Sequence, residues 1–179
     1  MKSAASRPAR RRIAAGALAL TALLGATGCS AVSPVATAIP YSPSDGIVVT
    51  QPDLVEVRNL ALVGEGASGP ARLIGTLKNP TDADKTYTIA LQDGGQATVQ
   101  VPAGQSVRLE DEQNRQEIER NVWPGQNAQG TIAADAATVD VAVPVLSATQ
   151  EQYAEYLPAG QQPSTEHLDQ ETLHYGEGH

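Results

Sequence analysis

The chain has 179 residues, with 20 acidic against 12 basic side chains, no Phe, one Trp and one Cys. Five of the basic residues lie within the first 12 positions and no acid does, so residues 29–179 carry a formal charge of 7 − 20 = −13. That balance argues against nucleic acid and anionic lipid headgroups as partners. A single cysteine excludes an intrachain disulfide, so the fold must rest on a core of Val, Leu, Ile and Ala.

Residues 1–28 have the three parts of an export signal. Lys2, Arg7 and Arg10 to Arg12 form a basic start. An apolar stretch from Ile13 to Leu24 follows, too short for the roughly 20 residues that span a bilayer core. Small residues Gly25 to Gly28 then precede Cys29, where a peptidase cleft requires an extended, uncrowded backbone. Cleavage later, after Ala36-Thr37-Ala38, would instead release a soluble protein, and a retained membrane helix is the third option.

Ser30 to Gly46 contains Pro34, Pro40 and Pro43 with several serines, the composition of a tether. Residues 29–46 therefore read as a linker and 47–146 as the folded body. The body shows period-two alternation: Val55 and Val57, then Leu60 and Leu62 after a bulge expected at Asn59. Leu73, Gly75 and Leu77 repeat it, as do Tyr87, Ile89 and Leu91, then Val99 and Val101, then Val107 and Leu109. Val139, Val141, Val143 and Val145 give the strongest run. Asp93-Gly94-Gly95 and Pro102-Ala103-Gly104 each read as a hairpin turn, and 79–84 as a loop. About seven short strands in some 100 residues predict an all-β domain, an immunoglobulin-like antiparallel β-sandwich.

Glu110 to Asn121 breaks the alternation and reads as a short exposed helix or a crossover between sheets. Trp123 is expected to cap one end of the core, with an exposed binding aromatic as the alternative. Ser147 and Gln150 have capping-box spacing, so 147–160 is expected to hold a short C-terminal helix with Tyr153, Tyr156 and Leu157 packed on the body. Residues 161–179 are acidic, lack a core pattern and read as a disordered tail.

Catalytic chemistry finds little support. The histidines, His167, His174 and His179, all lie in the tail, and no nucleophile, phosphate-loop or zinc motif occurs. No catalytic residue, cofactor-binding residue or metal ligand is assigned.

Gly28-Cys29 after the apolar run resembles the lipobox of bacterial lipoproteins, with Ala26 where Leu is usual. The resemblance implies a diacylglyceryl group on the Cys29 thiol, and two acyl chains hold a protein stably where one holds it marginally. The whole arrangement resembles a group of small actinobacterial secreted lipoproteins, mostly without an assigned activity. It does so through Val57-Arg58-Asn59-Leu60, Leu73 to Asn79, Val101-Pro102-Ala103-Gly104 and Ala142 to Leu146. A similar-sized sandwich occurs in periplasmic copper chaperones, but the Met and His that soft copper requires are absent from the body.

The resulting expectation is a lipoprotein on the extracytoplasmic face of the cell membrane, held by Cys29. It is read as a non-enzymatic binding or adaptor module for another envelope protein, with no nucleic-acid partner. The alternative is a carrier of a small ligand or metal ion, suggested by the tail histidines. Replacing Cys29 by Ser is expected to move the protein from the membrane to the soluble fraction of producing cells. Unchanged membrane association would refute the anchor.

Overall fold

The computed structural model describes residues 44–169. The signal segment, Cys29, most of the tether, His174 and His179 lie outside the described residues.

The described chain is all-β. Its strands are β1 (Ile47–Gln51), β2 (Val55–Val63), β3 (Gly69–Lys78), β4 (Lys85–Leu91) and β5 (Gln96–Val101). Then come β6 (Ser106–Arg108), β7 (Glu117–Arg120), β8 (Asn127–Ala134) and β9 (Ala137–Leu146). There are nine strands rather than about seven, because the polar interval and the segment before Pro52 also pair. They join in one sheet of order β5-β4-β8-β9-β2-β3-β6, with β1 added beside β2 and β7 beside β3. All pairings are antiparallel except a short parallel contact, Leu62↔Val145 and Val63↔Leu146.

Alternation decides which side chains go inside. Val57, Leu73 and Leu77 from β2 and β3 meet Tyr87, Ile89, Val99, Ile132, Val141 and Val143 from β4, β5, β8 and β9 in one buried core. The core's largest polar atom is satisfied: the Tyr87 hydroxyl donates to the Leu54 carbonyl at 2.6 Å. Burial, and more weakly the charge of Asp135, raises the Tyr87 pKa.

The expected bulge at Asn59 is present. Asn59 has φ 55°, and the β2–β3 register shifts between Arg58 and Ala61. Opposite it stands Gly75, at φ 121°, where a Cβ would lie 2.6 Å from the Asn59 carbonyl oxygen. Only glycine fits so close a strand approach. Asp93-Gly94-Gly95 does close a hairpin between β4 and β5.

Pro102-Ala103-Gly104 does not. Strand β6 pairs with β3 instead of β5, so this turn carries the chain across to the other strand group. Gly104 reaches back there to donate to the Thr81 carbonyl at 3.0 Å. Turn chemistry marks a reversal in direction but does not say which strand receives the chain. The 79–84 loop is held by buried Asn79, whose amide donates to the Ala83 and Val101 carbonyls and whose oxygen accepts from Thr81.

The polar interval holds a short exposed helical turn, as one of its two readings had it, but its later part pairs as a strand. A 3₁₀ turn at Glu112–Asn114 leads into β7, where Ile118 and Arg120 point inward and Glu117 and Glu119 outward. Trp123 is half-buried, and its neighbour Val122 is the side chain packed on the core.

Beyond β9, Glu151–Tyr156 is a 3₁₀ helix, and no side chain caps it. The capping box fails because the helix starts late, with Gln150 at its N-cap: the Ser147 hydroxyl accepts from the Thr149 amide at 3.0 Å in a tight turn before it and donates to the Glu65 carboxylate at 2.8 Å. The expected face does pack. Tyr153 joins Ala61, Val63 and Ile74 in a second apolar cluster on the outer side of β2 and β3, flanked by Tyr156 and Leu157. Gln161, the first residue of the supposed tail, is docked too: it accepts from the Glu65 amide at 2.8 Å and donates to the Pro70 carbonyl at 2.6 Å.

Arg120 is the largest fully buried side chain, 1% exposed. It donates to the carbonyls of Glu65 and Gly66 in the β2–β3 loop and of Val122 after β7. Burial lowers its pKa from the ordinary value, opposed by the charges of Glu65 and Glu119. An arginine keeps its proton under such conditions. Glu65 completes the cluster, accepting from Ser147 and the Ala148 amide.

Two outcomes follow from this packing. Arg120→Ala would strand three carbonyls and open a cavity, so unfolding in denaturant should show a loss of about 3–5 kcal/mol. The Tyr153 hydroxyl, which donates to Asp45, has its pKa pushed up to about 12 by burial first and by Asp45 second. The unfolded value is roughly 10. Its contribution is therefore complete below pH ~10 and lost as pH rises through about 12. The stability advantage of wild type over Tyr153→Phe should shrink across that window.

Candidate functional site

The outward sides of β5, β4, β8 and β9 form a broad face. Register sets its rows. Thr98, Thr88, Ala133 and Thr138 stand side by side across four strands. Gln96, Ala90, Thr131 and Asp140 make the next row. Gln100 with Thr86 extends one end, and Gln129 with Ala142 and Asn127 with Pro144 extend the other. Alternation produces this face, since Tyr87, Ile89, Val99, Ile132 and Val141 between these positions all point into the core.

The composition is unusual for so acidic a protein. Asp140 is the sole charged side chain on these rows, and the remainder are Thr, Gln, Ala, Asn and Pro. Threonine suits a strand, and its branched side chain is stiff. Short side chains also lose little rotamer entropy when covered, unlike Lys, Glu or Gln. Around Ala90 and Thr131 the face sinks into a concavity of about 540 Å³, bordered by Gln92, Gln129 and Asp140. Gly130 permits the strand spacing beneath it: a Cβ there would meet the Ala90 carbonyl oxygen at 2.4 Å.

No protein-family model matches the chain. No curated protein matches it either.

Of the residues singled out from sequence, Cys29 lies outside the described residues. Among the described residues no group of three His, Cys, Asp or Glu is placed to hold a metal ion. His167 sits in a 3₁₀ turn at Glu166–Asp169, away from the strands that carry the face. Trp123 opens a tight turn in which its amide donates to the Gln126 side chain at 3.1 Å. It does not join the Thr/Gln face.

Sequence reasoning did not single out this face. The signal was available in the polar halves of the alternating runs: Thr86, Thr88 and Ala90, then Gln96, Thr98 and Gln100, then Gln129, Thr131 and Ala133. Each short run looks like ordinary strand exterior. Only strand pairing shows that they adjoin.

A second set of ion pairs has a structural task. Arg72 is buried beneath Tyr156, with 5.3 Å from its guanidinium carbon to the ring centre, and donates to Glu112 and to the Glu110 carbonyl. The Arg72 hydrogen bond holds the Glu112 carboxyl below its usual range, with Arg115 adding to the effect. The cluster pins the terminal 3₁₀ helix to the body and leaves no group poised for proton transfer.

Proposed function

We propose that this chain is a membrane-anchored lipoprotein of the cell envelope. Its β domain is a non-catalytic binding or adaptor module for another envelope protein. We read the fold as immunoglobulin-like. Two antiparallel strand groups, β5-β4-β8-β9 and β1-β2-β3-β6, share one core and touch through a parallel β2–β9 contact, which supports that reading. The lipid on Cys29 is supported by the basic, apolar and small-residue sequence that precedes it, and 15 positions separate that residue from Ser44.

The observation that carries the binding role is the Thr/Gln face. Docking there requires little charge desolvation, and its threonines and alanines, unlike its glutamines, require little side-chain ordering; both are costs of association. Its four strands present a surface free of the long charged side chains that keep other parts of an acidic domain solvated. Interface cores are depleted in charge in the same way.

A photoreactive amino acid at Gln129 tests this in intact producing cells, with the same probe at Arg115 as control. A discrete adduct from Gln129 alone, lost in a variant with the exposed positions changed, Thr98→Glu/Thr138→Glu, is the expected result. That variant should keep its melting transition, because exposed strand substitutions cost about 1 kcal/mol or less. Adducts of equal yield from both positions, or none, would refute the role of this face.

A further inference from the structure

The basic residues are distributed far from evenly. Seven lie after the signal segment. Arg72 and Arg120 are buried, Arg115 is held between Glu112 and Glu117, and Lys85 bonds Asp135. The other three fall together on the outward side of β2, β3 and β6. Arg58 and Arg108 both stand opposite Thr76, while Lys78 stands opposite Glu56 and Ser106. Their side chains are exposed by 76%, 65% and 41% for Arg58, Arg108 and Lys78.

Two carboxylates accompany them without cancelling them. Glu56 lies 3.0 Å from Lys78 and 3.9 Å from Arg58. Glu110 is 4.0 Å from Arg108, but its other oxygen accepts from the Gly75 amide. Three cations thus face outward against two less exposed acids. Beside them Val48 is 50% exposed, and Ser44, Val48, Thr50, Glu56 and Arg58 border a concavity of about 280 Å³. The described chain therefore begins beside this basic patch, where the Gly46 N–H donates a hydrogen bond to the Asn59 side-chain oxygen at 3.0 Å.

We propose that this face docks on anionic phospholipid headgroups. The proposal rests on the reading of Cys29 as the anchor. Net charge argues against it only at long range, because interactions beyond a Debye length of about 8 Å are screened at physiological salt. At contact, the local cations decide. A patch this small would not hold a free protein to a bilayer. A tethered one needs much less, since a short linker keeps the patch near the surface at an effective concentration on the order of millimolar. Val48 adds an apolar contact at headgroup depth. Docked this way, the Thr/Gln face, which lies across the shared core, points away from the bilayer and stays open.

The test couples the chain from Cys29 onward, as the proposed cleavage leaves it, through that sole cysteine to maleimide-bearing lipid in vesicles of phosphatidylcholine with or without phosphatidylglycerol. Acetylation rates of Lys78 and Lys85 are then compared by mass spectrometry. Docking predicts that anionic lipid slows Lys78 relative to Lys85, on the order of tenfold at about 0.15 M salt, where net-charge repulsion is screened, and that 0.5 M salt (about a 4 Å screening length) reverses it. Arg58→Glu/Arg108→Glu should abolish the protection. A Lys78 to Lys85 ratio unaffected by phosphatidylglycerol would overturn the proposal using the native chain alone. So would equal protection on neutral vesicles. Because chemical coupling replaces the native lipid, a failed anchor would show separately, as membrane retention of Cys29→Ser in cells.

Discussion

The end of β9 is the seam of this structure. Along most of its length β9 pairs with β8, but at Val145 and Leu146 it also meets Leu62 and Val63 of β2. That parallel contact joins the two strand groups, and the chain on both sides of it is then locked. Gly64 donates to the Leu146 carbonyl, and the next residues on each strand, Glu65 and Ser147, bond through their side chains. Arg120 closes the same corner by taking the carbonyls of Glu65 and Gly66. A buried guanidinium is tolerable because its two terminal nitrogens meet fixed carbonyl acceptors and a carboxylate lies nearby, although its Nε is buried without a partner.

The terminal segment depends on that corner. Ser147 is held by Glu65, so the chain leaves β9 in a direction that lays Tyr153 over Ala61, Val63 and Ile74. Without this cover those residues of β2 and β3 would expose an apolar strip on the outer side of the sheet. Gln161 and the Tyr153–Asp45 bond then fasten the segment's far end and the entering chain. A domain lacking disulfides gains from such closure, since it holds both ends of the folded body to the same strands.

The remaining outer surface divides by chemistry. One region presents threonine, glutamine and alanine with a single acid, and the other presents the three exposed cations beside the entering chain. Both arise from the same alternation, which sends one residue inward and the next outward. The inward set is uniform, as a core must be. The outward set is free to differ between strand groups, and here it does.

Much of the all-β character was legible in the residues. Val139 to Val145 and Tyr87 to Leu91 alternate because one side of each strand is buried, and a period of two is a local property that sequence displays directly. The Asn59 bulge and the β4–β5 hairpin were legible for the same reason, as both depend on a few neighbouring residues. The apolar face of Tyr153, Tyr156 and Leu157 could also be read. What failed were inferences that needed a partner far along the chain. Ser147 has the spacing of a helix cap, but it closes a turn on Thr149 and bonds Glu65, and the helix starts only at Glu151. Pro102 to Gly104 has the chemistry of a hairpin, but β6 leaves for β3. Glu117 to Arg120 looks like a solvated polar run until Arg120 finds its carbonyls. By itself the sequence determined most strand positions and core-facing residues, because each follows from local periodicity, and its composition carries the proposed export signal before Cys29. Tertiary structure alone decided which strands adjoin, where a buried arginine finds its acceptors, and how residues 29–179, at −13, come to present one face with a single acid and another with three exposed cations. Those outcomes depend on register between distant segments, and register is set by the packing of the whole core.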